Sequence, residues 1–129
     1  MINSDSVNIW LSNYAEAWKS YDPEAIGKLF SEDAHYWFSP YSEPVEGRKA
    51  IVADWLKNPD KKGTYKGEYK MIASNGNLAV SNGHSIYFED DGKTVQREYD
   101  NIFVMEFNDI GECTLFKEWY MKKPGNKEG

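Results

Sequence analysis

His84, Glu118 and Tyr14 are the residues of this sequence best suited to moving a proton on a small molecule. An unperturbed imidazole titrates near pH 6.5, roughly, so His84 suits a general acid or base. Its alternative is a buried neutral ring bonded to Tyr99 or Asn101. Burial raises the pKa of a carboxylate, and Glu118 facing inward would then serve as acid or base. Paired with Arg97 it would instead form a structural ion pair, and facing outward it would be a solvated charge. Tyr14 can donate a hydrogen bond to a developing or ground-state oxygen, or be an amphipathic ring at a core edge. Asn82 and Asn101 can orient a ligand carbonyl or satisfy each other across strands.

Other chemistries lack their residues. Cys113 is the sole cysteine, so it reads as a small strand residue, and a reducing cytoplasm is the expected compartment. Two His without a carboxylate motif predict no metal site. No Gly-rich phosphate loop or Gly-x-Ser-x-Gly elbow is present. Twenty-one acids against fifteen bases give a net charge of −6, which repels phosphate backbones and anionic lipid. Neither nucleic acid nor membrane is an expected partner, and no apolar run approaches the roughly 20 residues of a span. Lys122, Lys123 and Lys127 read as a solvated terminus. Nothing in Met1 to Asn8 reads as a signal peptide.

The elements that must position these groups follow from periodicity. The 129 residues read as one domain, with a core over about 5–122 and a flexible tail at 123–129. Val7, Trp10, Leu11, Tyr14 and Trp18 recur at helical spacing, with Ser4 or Ser6 as cap. Asp22-Pro23 opens a second helix carrying Ile26, Leu29 and Phe30. Ala34 to Phe38 suits a first strand, and Arg48 to Leu56 a third helix closed by Asn58-Pro59. Beyond that the period changes to two, over Tyr65–Ala73, Leu78–Glu89, Thr94–Phe107 and Glu112–Lys122. Asn75-Gly76, Asp90-Asp91-Gly92 and Asn108 to Gly111 supply the turns. Three helices enclosing one strand, then a four-strand meander, make an α+β pattern.

Alternation also assigns faces. Val80, Ile86 and Phe88 share a side with Asn82 and His84, and Val95, Tyr99 and Phe103 share one with Arg97 and Asn101. A tight turn at Asp90 to Lys93 places Phe88 opposite Val95, His84 opposite Tyr99, Asn82 opposite Asn101 and Val80 opposite Phe103. Val80, Ile86, Phe88, Val95, Tyr99 and Phe103 are therefore expected to be buried on the concave face. The last strand is apolar on both sides: Leu115 and Trp119 on one, Phe116 and Tyr120 on the other. His35 alternates away from Tyr36 and Phe38 and reads as a surface or interface residue.

Particular strings resemble the nuclear transport factor 2-like superfamily, which includes ketosteroid isomerase, the SnoaL-type polyketide cyclases, scytalone dehydratase and limonene epoxide hydrolase. They are Asp22-Pro23-Glu24-Ala25-Ile26, Phe30-Ser31-Glu32-Asp33-Ala34, Pro44-Val45-Glu46-Gly47-Arg48-Lys49-Ala50-Ile51, and Val104-Met105-Glu106-Phe107 with Asp109 and Gly111. The resemblance runs from about Leu11 to Tyr120 and implies a cone: a curved, mostly antiparallel sheet wrapped around three N-terminal helices. It is unspecific for chemistry, since this fold hosts many activities. In ketosteroid isomerases a carboxylate base works with an oxyanion hole of Tyr and protonated Asp. Tyr14 matches the tyrosine, but the base falls at Phe38 and the acid at Phe103, so that chemistry is not expected. Two supporting tyrosines fall at Phe30 and Trp55, and the same mapping turns Phe116, Glu118 and Tyr120 inward.

The expected pocket is thus aromatic, lined by Trp18, Tyr36, Phe38, Trp55 and Phe88, with Tyr99, Phe103, Phe116 and Tyr120 beside them. Core packing is the alternative for each ring. A small apolar or aromatic ligand is the expected partner, together with a second copy in a homodimer. Three readings stay open: a cofactor-free isomerase, cyclase or dehydratase, a non-catalytic binding protein, and a dimerisation module.

Overall fold

Asn3, not Ser4 or Ser6, caps the first helix, α1 (Ser4–Ser20). Its side chain accepts from the Ser6 amide at 2.8 Å, and Ser6 Oγ accepts from the Asn3 amide at 3.0 Å. This reciprocal box satisfies otherwise orphaned helix donors. The structure, a computed structural model, describes residues 2–57 and 59–125. The expected helix-closing Asn58 and positions 126–129 of the expected tail lie outside the described residues.

Asp22 caps α2 (Pro23–Leu29), accepting from the Glu24 amide at 3.1 Å. Strand β1 (Phe30–Trp37) starts earlier than its aromatic run suggested. A two-residue strand, β2 (Val45–Glu46), is an addition to the sequence reading and pairs with it before α3 (Arg48–Trp55). The meander follows as β3 (Tyr65–Asn75), β4 (Leu78–Phe88), β5 (Val95–Phe107) and β6 (Cys113–Lys122). The six strands form one curved sheet in the order β2-β1-β6-β5-β4-β3. β1 and β6 run parallel and the other pairs antiparallel, so the fold is α+β with the helices N-terminal.

α1 lies against the concave face because its apolar stripe is aromatic and so is the sheet beneath it. Trp10 meets Phe107 edge-on at 5.5 Å between ring centroids, and Tyr14 meets Phe103 and Phe116, each at 5.3 Å. Rings at such spacings contribute beyond their buried area. The Trp10 indole also donates to the Leu29 carbonyl at 3.0 Å, tying α1 to the end of α2. Phe103 and Phe116, 4.6 Å apart, are fully buried. They fill the closed end of the sheet, and the open end is left to the polar groups described below.

The β4–β5 register overturns part of the expected face assignment. Phe88 pairs with Val95 as expected, but Tyr87 pairs with Arg97, which leaves Gln96 as an extra residue. Beyond this bulge His84 pairs with Asp100, Asn82 with Ile102 and Val80 with Val104. A one-residue slip sends every side chain of a strand to the other face. Ala79, Ser81, Gly83, Ser85 and Tyr87 therefore form the inner side of β4. Val80, Asn82, His84 and Ile86 lie on the outer side. Val95 is 43% exposed, and Val80, Ile86, Phe88 and Tyr99 are only half-buried, so of the six expected concave-face residues Phe103 alone is fully buried.

Candidate functional site

The inner face of the meander carries a continuous hydrogen-bond chain across four strands. Tyr65 and Tyr69 point inward from β3, and their hydroxyls meet at 2.6 Å above Gly67, whose missing side chain leaves them the room. The Tyr69 hydroxyl lies 2.6 Å from Ser85 Oγ on β4. Ser85 Oγ donates to Asn101 Oδ1 on β5 at 2.9 Å, and Asn101 Nδ2 donates to Glu118 Oε2 on β6 at 2.8 Å. Since Ser85 spends its one proton on Asn101, Tyr69 must donate to Ser85 and Tyr65 to Tyr69. Every donor in the chain thus points toward the carboxylate. The amide of Asn101 does not pass protons along, so the chain holds Glu118 in place and is not a proton wire.

Glu118 stands on a cavity of about 250 Å³ between this face, α1 and β1. Burial pushes its carboxyl up to about 7, opposed by the hydrogen bond from Asn101. At neutral pH the group is thus divided between acid and base forms, the condition that favours proton transfer in both directions. The wall opposite is phenolic. Burial, then the neighbouring Tyr36 and Glu118, hold the Tyr14 hydroxyl well above the usual range. Burial, then Glu118, do the same for Tyr36. Both tyrosines keep their protons; the Tyr14 hydroxyl donates to Tyr36, which opposes the upward shift there and leaves the Tyr36 proton for a ligand oxygen. Phe38 packs on Tyr36 at 4.4 Å and Trp18 stacks on Tyr14 at 6.4 Å, giving the cavity an apolar body. Tyr87, Tyr99 and Tyr120 surround its mouth, with Arg97 laid over the Tyr87 ring at 4.3 Å.

The residues singled out in the sequence separate into three groups. Tyr14, Trp18, Tyr36, Phe38, Tyr99 and Asn101 line the cavity, as do Glu118 and Tyr120 on β6, whose inner register is that of Phe116, Glu118 and Tyr120. Trp55, Phe103 and Phe116 lie behind this lining in the core; Trp55 packs edge-on against Tyr14 at 5.5 Å. The bulge removes His84, Asn82 and Phe88. His84 is an exposed outer-face residue 3.8 Å from Asp100, which rules it out as a base in the cavity. Asn82 bonds to Asp100 and to the Asn101 carbonyl, and Phe88 sits at the bulge outside the cavity. Arg97 is stacked on Tyr87 and Glu118 is held by Asn101, so the alternative reading of Glu118 as an ion pair with Arg97 is not borne out.

Tyr69, Ser85 and Tyr87 escaped the sequence reading. The available signal was the run of small residues at Ser81, Gly83 and Ser85, every second position of a strand. Small side chains mark a face over which a neighbour's rings must lie, and the Tyr69 ring does lie over Gly83. Among the described residues no group of three or more His, Cys, Asp or Glu could hold a metal, and no helix is long and apolar enough to cross a membrane.

Comparison with known proteins places this geometry in a family. No curated protein matches the chain. The family model of the SnoaL-like domain matches residues 11–115, which takes in α1 to the start of β6. The chain belongs to the SnoaL-like domain family, within the nuclear transport factor 2-like superfamily.

Proposed function

We propose that this protein is a cofactor-independent acid–base enzyme acting on a small apolar or aromatic molecule, of the isomerase, cyclase or dehydratase type. The observation that carries this reading is Glu118, a cavity carboxyl with its pKa raised to about 7 and held by Asn101. In its basic form Glu118 takes a proton from a carbon next to a ligand carbonyl. The electron pair moves onto the carbonyl oxygen, and the hydrogen-bonded pair of Tyr14 and Tyr36 stabilises the resulting enolate by donating to it. The carboxylic acid then returns the proton at another carbon, or to a departing hydroxyl, and regains its starting state. Two phenols and one carboxyl suffice for these steps.

The test is a panel of small cyclic ketones, lactones and polyphenols, followed by variants on any substrate found. Glu118→Gln should lose roughly 100- to 10,000-fold in kcat, the usual contribution of a positioned proton-transfer group. Tyr14→Phe should lose less, because it removes one donor and keeps the ring. Full turnover by Glu118→Gln would refute the reading. Phe38, a cavity ring where relatives carry their base, favours a second reading in which the pocket only binds. Ligands from the panel that bind without turnover would establish that alternative.

We also propose a homodimer formed through the outer face of the sheet. Trp119 is 40% exposed there, with Lys117 between its ring and that of Trp37. Aromatic rings left part-exposed on one sheet face are of the type enriched at protein interfaces. Light scattering at micromolar concentration should give twice the monomer mass, and a monomer mass would end this proposal.

A further inference from the structure

Among the described residues Arg97 has no carboxylate partner and is the one cation on the cavity wall. Arg48, the other arginine, bonds to Glu112 at 2.8 Å and to the Phe30 carbonyl at 2.9 Å. Arg97 donates to the Gln96 side chain and rests its flat face on Tyr87. Stacking of this kind fixes the plane of a guanidinium while leaving its edge donors free, and that edge matches a carboxylate two bonds at a time. The setting sharpens the point. The chain carries a net charge of −6, with acids available to pair such a residue, yet this half-buried guanidinium faces a cavity instead.

We propose that the ligand of this cavity is a small aromatic or cyclic carboxylate. Arg97 binds its acid group at the mouth, and its ring or reacting carbon lies beside Glu118. Arg97 precedes Asn101 on the inner face of β5 by about 13 Å along the strand, at the usual rise per residue. The cationic mouth and the acid–base end are therefore separated, and a ligand of one polarity spans them. Its charged end meets Arg97 among Tyr87, Tyr99 and Tyr120, and its apolar end meets Tyr14, Phe38 and Trp18. A cavity of about 250 Å³ lies below the roughly 300–1,000 Å³ usual for drug-sized ligands, which favours a ligand of about one ring and a short side chain. This assignment rests on the cavity being the reaction site proposed above, but it concerns recognition and not proton transfer.

The test uses the full chain and two probes of equal shape, 3-phenylpropanoate and 3-phenylpropanamide, titrated by calorimetry at low salt. The acid should bind about ten- to a hundred-fold tighter than the amide, the usual range for a charge-assisted bond. Arg97→Gln should lose that preference and keep its affinity for the amide, which also shows that the variant's cavity is intact. Equal affinity for the two probes, an acid preference that survives Arg97→Gln, or no measurable binding of the acid overturns the proposal. The two readings fail separately. Turnover retained by Glu118→Gln would remove the acid–base assignment and leave the acid preference, whereas equal binding of acid and amide would remove Arg97 and leave Glu118.

Discussion

Asn101 Nδ2 donates to Glu118 Oε2 at 2.8 Å across the β5–β6 pair, so the most perturbed carboxyl of the cavity is fixed by a neutral amide and not by a cation. A neutral donor lowers a carboxyl pKa less than a guanidinium would, and burial therefore prevails. The consequences concern stability as much as chemistry.

Glu118→Gln should stabilise the protein in a pH-dependent way. The folded pKa of about 7 lies above the ordinary value of 4.5. Below 4.5 both folded and unfolded chains hold the proton, and the group imposes no penalty. As pH rises from there to 7, only the unfolded chain ionises, so stability falls, and above 7 the loss is complete. The variant should match wild type about one pH unit below 4.5 and exceed it at pH 8 by up to about 3 kcal/mol. Urea unfolding at the two pH values measures this, and an equal difference at both would mean that Glu118 is not desolvated.

Asn101→Leu should move the Glu118 pKa further up. The amide is the one group that lowers it, so burial would act unopposed. Removing the amide also strands the proton of Ser85, at a cost of about 1–3 kcal/mol. The pH at which stability stops falling should rise above its wild-type value, and a downward shift would show that some other group holds the carboxylate.

Gly83→Ala should cost more than about 3 kcal/mol, as a forced overpacking against backbone. A methyl there would lie 2.1 Å from the Glu68 carbonyl oxygen and 2.7 Å from Tyr69 Cα. Gly76→Ala meets nothing within 4 Å and suffers only from its φ of +63°, so about 1–2 kcal/mol is expected. Comparable losses in thermal unfolding would argue against the close approach of β3 over β4.

Phe103→Ala should cost about 3–5 kcal/mol, the range for a fully packed ring. Phe103 is 1% exposed and touches Tyr14, Tyr69 and Phe116 at the closed end of the sheet. A loss under about 1 kcal/mol in denaturant unfolding would instead place that ring on an open cavity.

Much of the fold was legible in the residues. The helix breaks at Asp22-Pro23, the turns at Asn75-Gly76 and Asp90 to Gly92, and the pairing of Phe88 with Val95 all follow from local chemistry. The inner face of β5 was also legible, and with it Arg97 and Asn101. β6 is apolar on both sides, so its alternation did not choose a face, and only the family resemblance turned Glu118 inward. β4 was not legible. A bulge at Gln96 leaves the alternation of both strands unchanged while turning one over, and no residue type marks it. The apolar side chains of Val80 and Ile86 then pointed to the wrong face, because an outer face with a hydrophobic stripe has the same periodicity as an inner one. His84 was lost with it. Ser85, whose small polar side chain joins the tyrosines of β3 to Asn101, carries no signal until the register is known.

The central claim is that Glu118 is an acid–base group tuned to neutral pH by burial, and its own titration tests that most directly. Carbon-detected NMR of the Glu side-chain carboxyls, with Glu118 assigned by its absence in Glu118→Gln, gives the pKa without any substrate. The account predicts a midpoint at about 7. A midpoint near the ordinary glutamate value of 4.5 would contradict it.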